Sequence, residues 1–279
     1  MRVQAFAKIN LSLRVLRTRS DGYHELRTIF QSIALHDTLT LRARRGAFAL
    51  TCDDPACPTD ETNLISRAAA RLWRAAGRRG APRDVAIHLQ KRIPLQAGLG
   101  GGSSDAAAAL RALAQRWRVG QAKVRAAAAD LGADVPYFLE GGAVLGLERG
   151  DLLFRLAEPP PQWVVLVLPG FGVSTRDAFA WFDHWPDAPK RSAFEERQWV
   201  NDLQAPVAAR HPEVARIISA LRRLGASHAA MSGSGSAVFG LFSARESAIE
   251  AARRLQSAPR RTLVTRTLNH QRYQALAAT

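Results

Sequence analysis

A chain of 279 residues with 47% hydrophobic and 23% charged content is long enough to bury one large core or two ordinary ones, which excludes a disordered or fibrous class. Its formal net charge of +15 favours anionic partners such as nucleotides, diphosphates, nucleic acid or a membrane surface. Lysine occurs only at 8, 91, 123 and 190, however, and the remaining Arg residues read mostly as solvated helix faces filled by base composition.

The elements follow in chain order. Residues 5–15 alternate apolar and polar, with period two from Ala7 onward, and predict a strand ending before a turn at Ser20-Asp21-Gly22. No long apolar segment opens the chain, because Lys8 interrupts it, and this argues against a secretory leader. Strands are expected over 29–35 and 38–42, separated by His36-Asp37. Cys52 and Cys57 are too few for a disulfide framework and lack partners for a zinc set, so free thiols in a reducing cytoplasm are expected. A helix is predicted over 63–76 with Thr62 or Asn63 as its cap, then a strand over 85–89, and helices over 104–117 and 121–131. Glu158-Pro159-Pro160-Pro161 has linker composition, since consecutive prolines continue neither a helix nor a central strand, and it divides the chain into 1–158 and 159–279. The second half offers a buried strand over 163–168, a Trp-rich and Pro-rich loop over 181–189, a helix over 214–224, a strand over 237–242 and a helix over 245–256, which is an α+β pattern. No apolar run approaches the ~18 residues of a membrane span.

Five segments carry chemistry. In Gly98-Leu99-Gly100-Gly101-Gly102-Ser103-Ser104-Asp105, four glycines fall within five residues between a strand and a helix. Such density is costly in backbone entropy, and it suits a loop whose N–H groups converge on a phosphate at a helix N-terminus. The loop is neither a Walker A sequence nor a dinucleotide fingerprint. Asp134, between small and apolar residues after a helix, reads equally as a carboxylate that orients a substrate hydroxyl or as a turn residue. Lys8 in an apolar strand reads as a snorkelling edge lysine or as a partner for such a carboxylate. Asp21-Gly22-Tyr23-His24 presents a stacking face beside a hydrogen-bonding ring, and Ser232-Gly233-Ser234-Gly235 is a second glycine loop entering a strand.

In this combination and order, the segments resemble the small-molecule kinase superfamily of galactokinase, homoserine kinase, mevalonate kinase and phosphomevalonate kinase. Ala7-Lys8-Ile9-Asn10-Leu11, Asp21-Gly22-Tyr23-His24 and Gly132-Ala133-Asp134-Val135-Pro136 are similar to the branch whose acceptor is a cytidine diphosphate-linked polyol. The resemblance implies an α+β fold of two domains: an N-terminal ATP-binding domain like domain 2 of ribosomal protein S5, and a C-terminal ferredoxin-like domain, with the active site in the cleft between them. It implies ATP with Mg²⁺ as cofactor, small-molecule substrates, no nucleic-acid or membrane partner, and a monomer or homodimer. It makes Lys8 and Asp134 the catalytic pair and sets Asn10 at the polyol. Tyr23 would stack on the cytosine, His24 would hydrogen-bond it, and Phe179 would be a second stacking aromatic. Pro94, Leu95, Gln96, Ala97, Gly98, Leu99, Gly100, Gly101, Gly102, Ser103 and Ser104 would bind ATP, with Ser104 a candidate Mg²⁺ contact, while Ser232, Gly233, Ser234 and Gly235 would close over the cleft. Gln96 departs from the small residue usual in that loop, and the Trp-rich segment 181–199 has no assigned role. A related kinase acting on homoserine or mevalonate is the alternative, against which Tyr23-His24 argues, because a small acyclic substrate has no base to stack. A nucleic-acid binder would need basic residues clustered with aromatics, whereas the Arg residues here spread along helices.

Overall fold

The opening alternation forms strand β1 (Arg2–Thr18) in the computed structural model, which describes residues 1–186 and 199–278. After the turn at Gly22 the chain returns antiparallel as β2 (His24–Ala47). The two strands expected over 29–35 and 38–42 are therefore one. His36-Asp37 does not break it, because Asp37 is fully buried and its carboxylate accepts the backbone N–H of Arg92 and Ile93 and the ammonium of Lys91. Strand β3 (Ala49–Cys52) leads to α1 (Leu64–Ala75), whose cap is Asn63: its Oδ1 accepts the Ile65 N–H at 2.8 Å. Then come β4 (Arg83–Gln90), α2 (Gly101–Trp117), α3 (Gln121–Leu131), α4 (Tyr137–Glu140), β5 (Ala143–Glu148) and β6 (Leu152–Arg155).

The great length of β2 organises the first sheet. One edge pairs with β1; the other is shared between β5 over 26–31 and β4 over 38–47, giving the order β3-β4-β2-β5-β6. Helices α1, α2 and α3 cover this sheet through a core that includes Ile65, Leu72, Ile87, Leu89, Leu110 and Leu113.

The passage to the second sheet runs through 156–162. It is followed by β7 (Trp163–Leu168), α5 (Thr175–Asp183), α6 (Gln204–Arg210), α7 (Glu213–Arg223), β8 (His228–Met231), β9 (Val238–Phe242), α8 (Arg245–Leu255), β10 (Arg261–Arg266) and α9 (His270–Ala277). The antiparallel order β10-β7-β9-β8, with α7 and α8 as crossovers, is that of a ferredoxin-like unit carrying α5 and α6 as an insertion. Trp181 lies in α5, so the loop expected from 181 begins inside a helix, and residues 187–198 of that segment lie outside those described. No helix among the described residues is long and apolar enough to cross a membrane.

The unbroken apolar run of β7 has a packing cause. Val165 and Val167 face α7 and α8, in a cluster with Ile217, Leu221 and Leu255. Val164, Leu166 and Leu168 face the other way, into a cluster with Ala7, Ile9 and Leu11 of β1. A strand covered on both faces has no polar side to alternate with. Strand β1 thus belongs to both halves, its odd-numbered residues walking from one core into the other, and α9 returns to it through Tyr273 against Phe6.

Candidate active site

Two glycine loops meet at the centre of the molecule. Gly98 and Gly100 adopt φ of +73° and +71°, a left-handed conformation open to glycine. Helix α2 starts at Gly101, three residues earlier than expected at 104, and its cap residue Gly100 offers no side chain. Ser103, Ser104 and Asp105 are therefore helical. They lie within the first turns, and the amides at the helix start are left facing the cleft. Ser104 is 1% exposed and its Oγ donates to the Phe6 carbonyl at 2.7 Å, so it does not line the cleft. This corrects the expected Mg²⁺ contact at Ser104. Among the described residues no group of three or more His, Cys, Asp and Glu gathers to hold a metal, so the side chains do not form a Mg²⁺ cage.

The second loop locks onto the first. Ser232 Oγ donates to the Gly98 carbonyl at 2.9 Å and accepts the Asn10 N–H at 3.3 Å, and the Ala237 N–H donates to the Ala97 carbonyl at 3.2 Å. A Cβ at Gly233 would lie 3.1 Å from the Gly98 oxygen and 3.3 Å from Lys8 Nζ, which is why the chain is bare there. Ser232 and Gly235 serve this interlock and do not line the cleft, whereas Gly233 and Ser234 do.

Lys8 and Asn10 lie on the cleft face of β1, opposite its core-facing odd residues. Lys8 Nζ donates to Asn10 Oδ1 at 2.6 Å, and Asn10 Nδ2 donates to Thr28 Oγ1 at 2.7 Å, which fixes the rotamers of both. Asp134 Oδ2 is 3.7 Å from Lys8 Nζ. The Asp134 side chain is 35% exposed against 5% for that of Lys8, so the carboxylate reaches into the cleft and the ammonium stays beneath it. Burial pulls the Lys8 ammonium below its ordinary range, and Asp134 partly offsets this. The neighbouring Val135 is completely buried and anchors the loop that presents Asp134.

The outer end of the cleft is aromatic. Tyr23 is 57% exposed, with the Arg149 guanidinium 5.5 Å from its ring centre. His24 stacks on Phe179 with centroids 4.7 Å apart and planes inclined by 22°, and its Nε2 is 2.7 Å from Asp183 Oδ1. The two rings expected to meet a base separately therefore cover one another. The whole cleft encloses about 1100 Å³ and runs from this aromatic end past Asp134 and Lys8 to Pro94–Ser103, with Gln96 in a left-handed conformation (φ +52°) at its rim. That volume exceeds the ~300–1,000 Å³ of a single-ligand pocket and has room for two substrates.

Several groups at the site escape a reading of the sequence. Asp183 ends an amphipathic helix, where a carboxylate is ordinary, and nothing marks it as the partner of His24. Arg149 and Thr28 carry no motif. Lys91 did leave a signal: in a chain that writes nearly every cation as Arg, it is one of the few lysines, and a Cβ at Gly101 would lie 3.0 Å from its Nζ. A compact ammonium fits under the helix start where a planar guanidinium would not.

The GHMP kinases N terminal domain family matches residues 63–142, and the GHMP kinases C terminal family matches residues 190–261. The 4-diphosphocytidyl-2-C-methyl-D-erythritol kinase of Moorella thermoacetica is 44% identical, over 95% of this chain and 98% of its own length. The enzyme of that name from Pelotomaculum thermopropionicum is 42% identical, over 95% and 97%. A crystal structure of 4-(cytidine 5'-diphospho)-2C-methyl-D-erythritol kinase superposes with a TM-score of 0.79 at 37% identity, covering 96% of this chain and 99% of that one. Homoserine kinase from Cytophaga hutchinsonii, at 19% identity and a TM-score of 0.70 over 98% and 96% of the two chains, shares the fold.

Proposed function

The chain belongs to the GHMP kinases and, within them, to the 4-diphosphocytidyl-2-C-methyl-D-erythritol kinases, an ATP-dependent group, and from that membership we propose how its cleft transfers the γ-phosphoryl of ATP to the 2-hydroxyl of the cytidyl polyol. The reaction is a step of isoprenoid precursor synthesis by the methylerythritol phosphate route, carried out in the cytoplasm. The observation that carries the reading is the Lys8–Asp134 pair, 3.7 Å apart, facing a glycine cradle in a cleft with room for both substrates.

Phosphoryl transfer passes through a loose transition state, so the protein's work is positioning and charge neutralisation. The amides at the start of α2 receive the β- and γ-phosphates, where the helix dipole also favours negative charge. Asp134 orients the acceptor hydroxyl and takes its proton on a carboxylate oxygen. Lys8, held by Asn10, sets its ammonium 3.7 Å from that carboxylate and draws charge off the transferring group. Mg²⁺ would supply further neutralisation of the phosphates when bound, and among the described residues no cluster of side chains forms a cage of its own for it. Tyr23 provides the stacking face for the cytosine, and His24, fixed by Phe179 and Asp183, provides the polar edge beside it.

The test is a coupled ADP-release assay offering the cytidyl polyol beside mevalonate and homoserine. Turnover with the cytidyl substrate alone is expected, and preference for either small alcohol would overturn the assignment. For Tyr23→Ala we expect the KM of the cytidyl substrate to rise roughly 5- to 150-fold, the equivalent of about 1–3 kcal/mol of base stacking, with the KM of ATP unchanged. A rise in the ATP KM instead would mean that the two ends of the cleft are exchanged.

A further inference from the structure

Beneath the phosphate loop lies a buried charge cluster for which the transfer mechanism has no role. Asp37 of β2, Lys91 just after β4 and Asp105 of α2 meet at one point, with side chains 0%, 3% and 4% exposed. Lys91 Nζ donates to Asp37 Oδ2, and to Asp105 Oδ2 at 2.9 Å. Two carboxylates thus share one ammonium, and they are served unequally. Asp37 also accepts two backbone N–H groups, from Arg92 and from Ile93. Asp105 accepts from Lys91, with the Asp37 carboxyl beside it, and among the described residues its buried Oδ1 has no hydrogen-bond partner. An anionic oxygen without a donor is costly in such a place, and a carboxylic acid is far less so.

We propose that Asp105 carries a proton in the nucleotide-binding form of the protein, and that losing this proton to solvent weakens the binding of ATP at the glycine loop. The proposal rests on the reading of that loop as the ATP site. Asp105 stands one turn inside α2 from Gly101, and the Lys91 ammonium lies directly under that first turn. An ionised Asp105 adds negative charge where the triphosphate must settle, and it competes with the phosphates for the positive end of the helix.

The surrounding charges leave Asp105 as the site of the proton. Among the described residues Cys57, from the loop after β3, also faces the cluster, and burial and the Cys52 thiol beside it push it up to about 12; the exposed Asp53 carboxylate of the same loop accepts the Lys91 backbone N–H at 2.7 Å. Lys8 of β1 is paired with Asp134. Of the charged groups on the helices packed on α2, Arg71 pairs with Asp130 and Arg125 with Glu140, while Arg74 donates to the Ala70 carbonyl. Burial first, and the Asp37 carboxylate second, push the Asp105 carboxyl up to about 8 against the pull of Lys91. The sign is that of an acid raised in the folded state. Bound nucleotide, being anionic, raises it further, so binding takes up a proton above about pH 8 and affinity falls as pH rises through that value.

The test is calorimetric titration of the full chain with Mg²⁺ and β,γ-imido-ATP from about pH 6.5 to about pH 9.5. The dissociation constant of the unsubstituted protein should rise about tenfold across this range, beyond the change contributed by the nucleotide's own phosphate. Asp105→Asn should lack this rise and change only as the nucleotide's own phosphate does, with its Tm falling less with pH than that of the unsubstituted protein. The nucleotide's titration is common to both proteins, so the difference between the two profiles is the readout, and identical profiles overturn the proposal. Should Asp105→Asn fail to fold, proton uptake by the unsubstituted protein, measured near pH 8.5 in buffers of different ionisation enthalpy, decides: its absence overturns the proposal equally. If the loop is not the ATP site, the failure looks different, because Gly102→Ala would then leave nucleotide affinity untouched at every pH.

Discussion

Asp134→Asn is expected to lower kcat by about 10²–10⁴-fold, the range of general-base catalysis, while the dissociation constant of ATP stays within about twofold. The substitution keeps the size and hydrogen-bonding shape of the side chain and removes its charge and basicity. Asp134 is one-third exposed at the cleft wall and pairs with Lys8, not with the glycine loop, so the nucleotide cradle is left intact. A second consequence reads out the partnership. Burial pulls Lys8 down and Asp134 is the charge that holds it up, so removing that charge lowers the Lys8 ammonium further. If the residual activity needs Lys8 charged, its alkaline limb moves to lower pH in the variant. Single-turnover rates across pH check both effects together. Near-unchanged turnover would remove Asp134 from the chemistry, and a large fall with an unmoved alkaline limb would separate Lys8 from it.

This pair was legible only in company. Lys8 alone reads as an edge lysine and Asp134 alone as a turn residue; the order of five segments is what gave each a role. The strand carrying Lys8 was plain, because Ala7, Ile9 and Leu11 enter one core in strict alternation. Strand β2 was not, since His36-Asp37 has the composition of a break and only the converging donors of Lys91, Arg92 and Ile93 make it a continuation. The start of α2 was hidden for a related reason. Glycines are poor helix formers, yet Gly101 opens the helix because Ile93 and Lys91 press so closely on it that a Cβ would lie 3.0 Å from each. Strand β10 and helix α9 left little pattern, since β10 has no fully buried residue and α9 buries only Tyr273 and Ala277. The stacking of His24 on Phe179 depends on α5, an element whose first residues carry only an Asx/Ser-type cap signal at Ser174.

Gly98→Ala is expected to destabilise the protein by about 2–4 kcal/mol, lower Tm by roughly 5–10 °C and raise the KM of ATP at least about tenfold. Two independent costs combine. At a φ of +73° any side chain is strained, and the added Cβ would stand 2.1 Å from the Ser232 carbonyl oxygen, which is backbone and cannot swing aside. Relief requires the two glycine loops to part. That breaks the Ser232 Oγ bond to the Gly98 carbonyl and frees the loop entering β9 from the loop entering α2. Gly102→Ala supplies the contrast four residues along. Its φ is not in the left-handed range, and its Cβ would meet only Leu64 Cδ1 at an ordinary 3.7 Å, so Tm should stay within about 1 °C of the unsubstituted protein. Gly102 is exposed on the cleft wall, and any loss of ATP affinity there reports contact with the nucleotide and not damage to the fold. Thermal unfolding and ATP titration on the two variants therefore separate the two uses of glycine in one loop. Equal Tm values for Gly98→Ala and the unsubstituted protein would mean that the loops are not locked together, and the cradle would then owe its shape to α2 alone.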